Sequence, residues 1–148
     1  MSKGRAVGAA VVALLLLVFG SSWVVDDVQA GSVKLAVRVS PPVLPADGLA
    51  TGTLTVRVTE GSGTPRAADT VEILNLTSRG TFDRTRALTD RRGEAAFVYT
   101  TSLANVYQPA GPVRVLVTDT SLGHLLELDK SMTATLRTVD PSRYKKEP

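Results

Sequence analysis

The chain has 148 residues, the size of one domain with an additional segment, and 43% of them are hydrophobic, which is enough to form a packed core. The net charge of +3 is too small to indicate a nucleic-acid partner. Because the sequence contains no Cys, disulfides, zinc–thiolate sites and Cys nucleophiles are excluded.

An apolar segment lies near the start of the chain. Two basic residues precede residues 6–25, which carry no charge and would form a helix of about 30 Å, the thickness of a bilayer's hydrocarbon core. With positive residues before it and two Asp after it, the segment places residues 1–5 in the cytoplasm and the rest outside the cell inner membrane. Trp23 lies near the outer end, where an indole favours the membrane–water interface, and is a candidate partner contact.

The same segment has an alternative interpretation as a secretory signal peptide. Val28-Gln29-Ala30 fits a small-residue cleavage site, which would end the signal peptide at Ala30. The apolar run is longer than the core of about 7–15 residues that is typical of such signals. The sequence therefore leaves two hypotheses: a retained transmembrane helix over 6–25 with a linker over 26–32, or a cleaved signal peptide.

Apolar and polar residues alternate through the rest of the chain, beginning most clearly at Thr51–Thr59. Leu54, Val56 and Val58 fall on one face, and a period of two is typical of a strand with one buried face. Comparable patterns predict further strands at 33–39, 69–76, 81–83, 86–89, 94–101, 113–117 and within 125–136. Seven or eight short strands separated by turn residues such as Asp47 and Asp90 predict an all-β antiparallel sandwich over 33–137.

The segment Ser40–Pro45 is expected to end the first strand, because proline cannot donate a hydrogen bond to a ladder. At the other end of the domain, residues 138–148 form a polar tail. Its end, Tyr144-Lys-Lys-Glu-Pro148, is expected to be disordered when no other chain holds it.

Two motifs resemble the bacterial Ig-like domains of the invasin/intimin type. The first is Leu44-Pro-Ala-Asp-Gly-Leu-Ala-Thr-Gly-Thr-Leu-Thr-Val-Arg-Val58 followed by Gly63-Thr-Pro65, and the second is Thr89-Asp-Arg-Arg-Gly-Glu-Ala-Ala-Phe-Val-Tyr-Thr100. The resemblance covers about residues 33–137, a single module, and implies an Ig-like sandwich. Modules of this family mostly act as spacers or binding surfaces and supply no catalytic residues.

The inventory of reactive side chains does not indicate an enzyme. His124 is the only His, and no Ser or Asp has a second His or a Cys to pair with. No run of acidic residues has the spacing of a calcium loop. We therefore predict no catalytic residue, no metal, no cofactor and no small-molecule substrate.

Five arginines lie close together in the sequence and are candidates for binding a partner: Arg79, Arg84, Arg86, Arg91 and Arg92. If their loops lie together, they would form a positive patch for an acidic partner or for lipid head groups. The alternative is an ordinary solvated loop surface.

Leu103, Val106 and Tyr107 are further candidates, because apolar residues on a connection often mark a contact surface. They lie within 102–112, the longest predicted connection. The alternative is that they cover one end of the sandwich.

The leading functional hypothesis is a non-catalytic, single-pass membrane subunit of a bacterial protein assembly. One N-terminal transmembrane helix would precede a periplasmic or extracellular Ig-like domain that makes structural contacts with other membrane-protein subunits and the lipid bilayer. Bioenergetic complexes, for example photosynthetic reaction-centre and light-harvesting complexes, and secretion complexes all fit. The alternative hypothesis is a secreted or surface-displayed Ig-like adhesion module with a cleaved signal peptide.

Overall fold

The computed structural model describes residues 33–121 and 129–144 of the chain. These residues form β1 (Lys34–Ser40), β2 (Val43–Pro45), β3 (Thr51–Thr59), β4 (Thr70–Asn75), β5 (Thr81–Phe82), β6 (Arg86–Leu88), β7 (Glu94–Thr100), β8 (Pro112–Asp119), β9 (Lys130–Val139) and a 3-10 turn, Pro141–Arg143. No helix in this part of the chain is long and apolar enough to cross a membrane. The predicted transmembrane helix, the alternative signal peptide, Trp23 and His124 lie outside the described residues.

The strands form two sheets that pack face to face, as the sequence predicts. The first sheet has the strand order β1-β3-β7-β5, and the second has the order β2-β9-β8-β4-β6. Neighbouring strands are antiparallel in both sheets, except that β2 runs parallel to the end of β9. The described chain is therefore an all-β sandwich.

The period of two in the sequence determines which side chains form the core. Leu54, Val56 and Val58 of β3 are fully buried. Thr55 and Arg57 between them lie on the outer face of the sheet and are partly or fully exposed. The apolar residues that alternate in phase in four other strands are also buried, except Met132 of β9, which is partly buried. The buried ones are Val71, Ile73, Ala95, Phe97, Tyr99, Val113, Val115, Val117, Ala134 and Leu136. Full burial of one such Val, Leu or Phe side chain stabilises the fold by about 1.5–3 kcal/mol.

β1 is buried less deeply than its sequence pattern indicates. Leu35, Val37 and Val39 pack against the core but remain half-buried. The physical reason is that β1 is an edge strand of the first sheet and has β3 as its single neighbour in that sheet.

The segment Ser40–Pro45 corrects the sequence-based prediction of a wholly antiparallel sandwich with seven or eight strands. The first strand ends at Ser40 as expected. Val43–Pro45 then forms β2, which was not predicted and brings the number of strands in the described ranges to nine. Pro45 is tolerated because β2 lies at the edge of the second sheet. Leu44, with 2% of its surface exposed, joins the core. A strand of three residues is too short for its periodicity to be recognised.

β9 continues past the predicted domain end at residue 137. Thr138 is buried, and Val139 is paired with Pro45. The carbonyl oxygen of Val139 also accepts a hydrogen bond of 2.8 Å from the amide of Ala46. Residues 138 and 139 therefore belong to the sandwich and not to the tail.

Two aspartates hold turns at opposite ends of the sandwich, as predicted. Asp90 Oδ1 accepts hydrogen bonds from the amides of Glu94 (3.0 Å) and Arg92 (2.8 Å), and these bonds hold the pKa of Asp90 below its ordinary value. We call this end, where β1 also begins, the turn end. The other end carries Asp47 and the connection from β7 to β8, and we call it the loop end.

A buried carboxylate lies at the turn end, where β8 finishes. Asp119 has no exposed surface, and its Oδ1 accepts a hydrogen bond from the amide of Ser121 at 3.0 Å. Its Oδ2 has no partner among the described residues. Burial raises the pKa of Asp119, and the nearby carboxylate of Asp69 adds to this shift, whereas Arg66 opposes it. Arg66 is itself paired with Asp69.

We expect Asp119→Asn to stabilise the domain at neutral pH, because the substitution removes a buried negative charge, while the amide oxygen of Asn can still accept the hydrogen bond from Ser121. Because the folded-state pKa of Asp119 is raised, the folded state holds its proton where the unfolded state releases it. The wild-type protein therefore loses stability as the pH rises from the ordinary carboxyl range through the raised pKa. We would measure the free energy of unfolding in urea by circular dichroism at acidic and neutral pH. The gain in stability of Asp119→Asn over the wild-type protein should increase with pH.

Asp90→Asn serves as the control for this experiment. The pKa of Asp90 is lowered, so its carboxylate contributes stability above the ordinary pKa that is lost as the pH falls. The two substitutions should therefore change the pH dependence of stability in opposite directions. If Asp119→Asn raised the free energy of unfolding equally at both pH values, the raised pKa of Asp119 would be contradicted.

Candidate binding surface at the loop end

Two connections of the chain are joined at the loop end. The carboxylate of Asp47 accepts hydrogen bonds from the amides of Leu49 (2.9 Å) and Ala50 (2.7 Å), and both bonds lower its pKa. The backbone of Asp47 also pairs with that of Leu103, in the connection from β7 to β8, as an isolated antiparallel β-bridge. The amide of Ala104 donates a 2.9 Å hydrogen bond to the carbonyl of Ala46, next to Asp47. The loop end is thus built from backbone that is held at several points.

This framework carries a set of exposed apolar side chains. The exposed fraction is 82% for Leu49, 63% for Leu103, 93% for Val106 and 98% for Tyr107. Asn105 holds the last two at the tip of a turn, because its Oδ1 accepts hydrogen bonds of 2.9 Å from the amides of Tyr107 and Gln108. Leu103, Val106 and Tyr107 therefore do not cover the described core, and their role as partner contacts stays a prediction.

A groove of about 640 Å³ lies beside these side chains, between the connection from β7 to β8 and the end of the domain. Ala104, Val106, Pro109, Ala110 and Val139 give it a mostly apolar lining, and polar residues including Asp140 and Arg143 complete it. Asp140 is held in place, because its Oδ1 accepts hydrogen bonds from the amide (2.9 Å) and hydroxyl (2.6 Å) of Ser142. The groove is therefore concave and mostly apolar, with charged residues at one side.

The five arginines that are close in the sequence do not form one patch. Arg79 is at the loop end, where its carbonyl accepts a 3.1 Å hydrogen bond from the Tyr99 hydroxyl. Arg91 and Arg92 are exposed in the turn at the opposite end, and the strand between the two ends, β7, is roughly 20 Å long.

Arg84 and Arg86 lie between those ends and are paired. Arg84 Nε is 2.8 Å from Asp83 Oδ2, and Arg86 forms an ion pair with Glu72 across β4 and β6. The role of the five arginines in partner binding stays a prediction, but a single cationic surface made from all of them is not present.

Sequence reasoning missed several residues of the loop end. Leu49 follows a turn motif and gave no periodic signal. Arg114, Arg137 and Arg143 belong to β8, β9 and the 3-10 turn. They lie near one another in space only because β8 pairs with β9. Only a correct register for β8 and β9 could have placed them together.

The side chains in the described ranges do not assemble a metal site, since no three of His, Cys, Asp and Glu gather there. The acidic residues of the loop end bind neighbouring backbone and hydroxyl groups, as described for Asp47 and Asp140. What this surface offers chemically is apolar contact area beside charged groups.

No family model matches the sequence, and no relative is found among curated proteins. The solved structures that are similar to the chain include two from intimin. The D00-D0 domain of intimin has a TM-score of 0.55 at 17% identity, over 74% of this chain and 48% of that one. The second structure is a C-terminal 282-residue fragment of intimin in complex with the intimin-binding domain of the translocated intimin receptor Tir. It has a TM-score of 0.51 at 18% identity, over 72% of this chain and 33% of that one.

The described part of the chain therefore has an Ig-like β-sandwich fold of the invasin/intimin type, in agreement with the resemblance of its two sequence motifs. The chain spans about half of the first intimin chain and a third of the second. At these identities the likeness concerns the fold alone.

Proposed function

We propose that the protein is a non-catalytic, membrane-anchored subunit whose Ig-like domain binds a protein partner through the loop end. The observation that carries this proposal is the concentration of exposed Leu49, Leu103, Val106 and Tyr107 at one end of the sandwich. Contiguous apolar surface on a protein marks interaction sites, and Tyr is enriched in them. The intimin fragment of similar fold is itself in complex with a receptor domain, which supports a binding role for this class of module.

The course of the chain supports the orientation of this surface. β1 begins at Lys34, at the turn end, so an N-terminal anchor over 6–25 would enter the domain there. β3 runs the length of the sandwich and is about 30 Å long. The loop end would then point away from the membrane, towards the external parts of neighbouring subunits in a bioenergetic or secretion assembly.

The experiment is to extract the full chain from its native membrane in mild detergent and to measure its mass by size-exclusion chromatography with light scattering. We expect the wild-type chain in a larger complex and a Val106→Asp/Tyr107→Ala variant released from it. Loss of central contact residues typically costs about 2 kcal/mol or more in binding free energy, which is a large shift towards the free chain. A wild-type chain that elutes alone would rule out the proposal.

Arg91→Gln/Arg92→Gln is the matched control, because both residues are exposed at the opposite end. This variant should remain in the complex. All three proteins should have the same circular dichroism spectrum, since Val106 and Tyr107 are almost fully exposed. Release of the control as readily as the loop-end variant would place the contact elsewhere.

A second candidate function is a secreted adhesion module released by signal cleavage. The sequence Val28-Gln29-Ala30 and the intimin-type fold favour it. Sequencing the mature N-terminus separates the two candidates. A start at Gly31 supports the secreted module, whereas a start at Met1 or Ser2 supports the anchored subunit.

A further inference from the structure

A pair of arginines lies on the outer face of the second sheet, next to the groove at the loop end. Arg137 is the register partner of Pro112, and Arg114 follows Pro112 by two positions along β8, so the two side chains are diagonal neighbours on one face. Diagonal neighbours on adjacent strands are about 7–8 Å apart. Both arginines are exposed on the outer face. Neither lines the groove itself, but Arg137 directly precedes Thr138, Val139 and Asp140, which do.

Two more arginines extend this positive surface around the loop end. Arg143 is exposed and lines the groove itself. The guanidinium of Arg79 lies against Gly111, the residue before Pro112, where its Nη1 is 2.6 Å from the position that a Cβ would take. We call Arg79, Arg114, Arg137 and Arg143 the arginine rim.

The arginine rim carries more charge than the acidic residues described around it. Salt bridges among the described residues join other arginines, namely Arg66, Arg84 and Arg86. Among the described residues, two acidic side chains lie at this end, Asp47 and Asp140, so the four arginines outnumber them. Both carboxylates accept hydrogen bonds within their own turns and stay ionised, and Asp140 also interacts electrostatically with Arg143. The loop end therefore presents positive charge beside an apolar groove.

The shape and lining of the groove indicate what kind of partner this charge serves. A small anion would require polar groups throughout its site, but the groove is lined mainly by Ala, Val and Pro side chains. A flat layer of lipid head groups would not fill a concave space of about 640 Å³. An extended polypeptide segment can place apolar side chains in the groove and carboxylates on the arginine rim.

We infer that the loop end binds a segment of a protein partner that contains both acidic and apolar residues. Its carboxylates pair with Arg114, Arg137 and Arg143, and one of its apolar side chains lies in the groove. This inference rests on the proposed function, because it names the partner chemistry of the same surface. Arginine is well suited to the role, since its planar guanidinium binds carboxylates through two hydrogen bonds.

The test uses the full chain in a non-ionic detergent and a fluorescent synthetic peptide made of Glu, Leu and Ser. Two matched peptides carry Gln or Lys in place of every Glu. Fluorescence anisotropy should show binding of the acidic peptide about tenfold tighter than that of the Gln peptide, the effect of two or three exposed ion pairs. The affinity of the acidic peptide should fall as salt is added.

The diagnostic variant is Arg114→Gln/Arg137→Gln, and the matched control is Lys34→Gln/Arg92→Gln, which removes the same charge at the turn end. The first should lose the preference for the acidic peptide and the second should keep it. No binding of the acidic peptide, equal binding of all three peptides, or equal loss in both variants would overturn the inference.

A lipid partner is tested by adding phosphatidylserine or phosphatidylcholine to the micelles. Displacement of the acidic peptide by phosphatidylserine alone would assign the arginine rim to anionic head groups and overturn the inference, whereas unchanged peptide binding supports it. These outcomes are separate from those of the proposed function. If the wild-type chain stays in its complex but no acidic peptide binds, the partner chemistry is wrong and the binding role stands.

Discussion

Gly80→Ala is expected to destabilise the domain by about 2–5 kcal/mol, the sum of a left-handed backbone cost and an overpacking cost. Gly80 has a φ of +65°, and a Cβ there would lie closer than 3.0 Å to the carbonyl oxygen of Thr100 and to the hydroxyl and ring of Tyr99. Neither neighbour can move easily, because Tyr99 is fully buried. Its hydroxyl also donates to the carbonyl of Arg79.

Gly63→Ala is the control that separates the two costs. Gly63 has a φ of +93°, but nothing lies within 4 Å of the position its Cβ would take. The substitution should therefore cost only the backbone term, about 1–2 kcal/mol. Urea unfolding of both variants, followed by circular dichroism, measures the difference. Equal losses would show that the contact between Gly80 and Tyr99 is not as close as the structure places it.

Phe97→Ala is expected to cost about 3–5 kcal/mol, the range for removing a buried aromatic ring. Phe97 lies in β7, opposite Leu54 of β3, and both side chains have no exposed surface. The cavity left by the ring would be enclosed by two packed sheets, so the structure can relax into it only in part. In a domain of this size, that loss is a large fraction of the total stability.

Val98→Ala tests the strand phase in the same experiment. Val98 is the next residue of β7 and points to the outer face, with 41% of its surface exposed. Its truncation should change the free energy of unfolding by about 0.5 kcal/mol. If Val98→Ala destabilised the domain as much as Phe97→Ala, the two-sheet packing would be incorrect.

The candidate site was only partly predictable from the sequence. Leu103, Val106 and Tyr107 could be recognised, because apolar residues in a connection near Pro109 interrupt the strand pattern. The five arginines between 79 and 92 looked like one patch because they are near in sequence, but β7 separates Arg79 from Arg91 and Arg92. The arginine rim as a set remained hidden, since Arg79 comes from the connection between β4 and β5 and the other three come from β8, β9 and the 3-10 turn.

The sequence by itself determined that the domain is all-β, which faces of its strands are buried, and that Asp47 and Asp90 hold turns. These properties depend on neighbours one to four positions away in the chain, which a single sequence displays directly. The tertiary structure decided the parallel pairing of β2 with β9, the burial of Asp119, and the meeting of Arg114 and Arg137 beside the groove. Each of these follows from which strands pair and in what register, and that choice is made by the packing of the whole core.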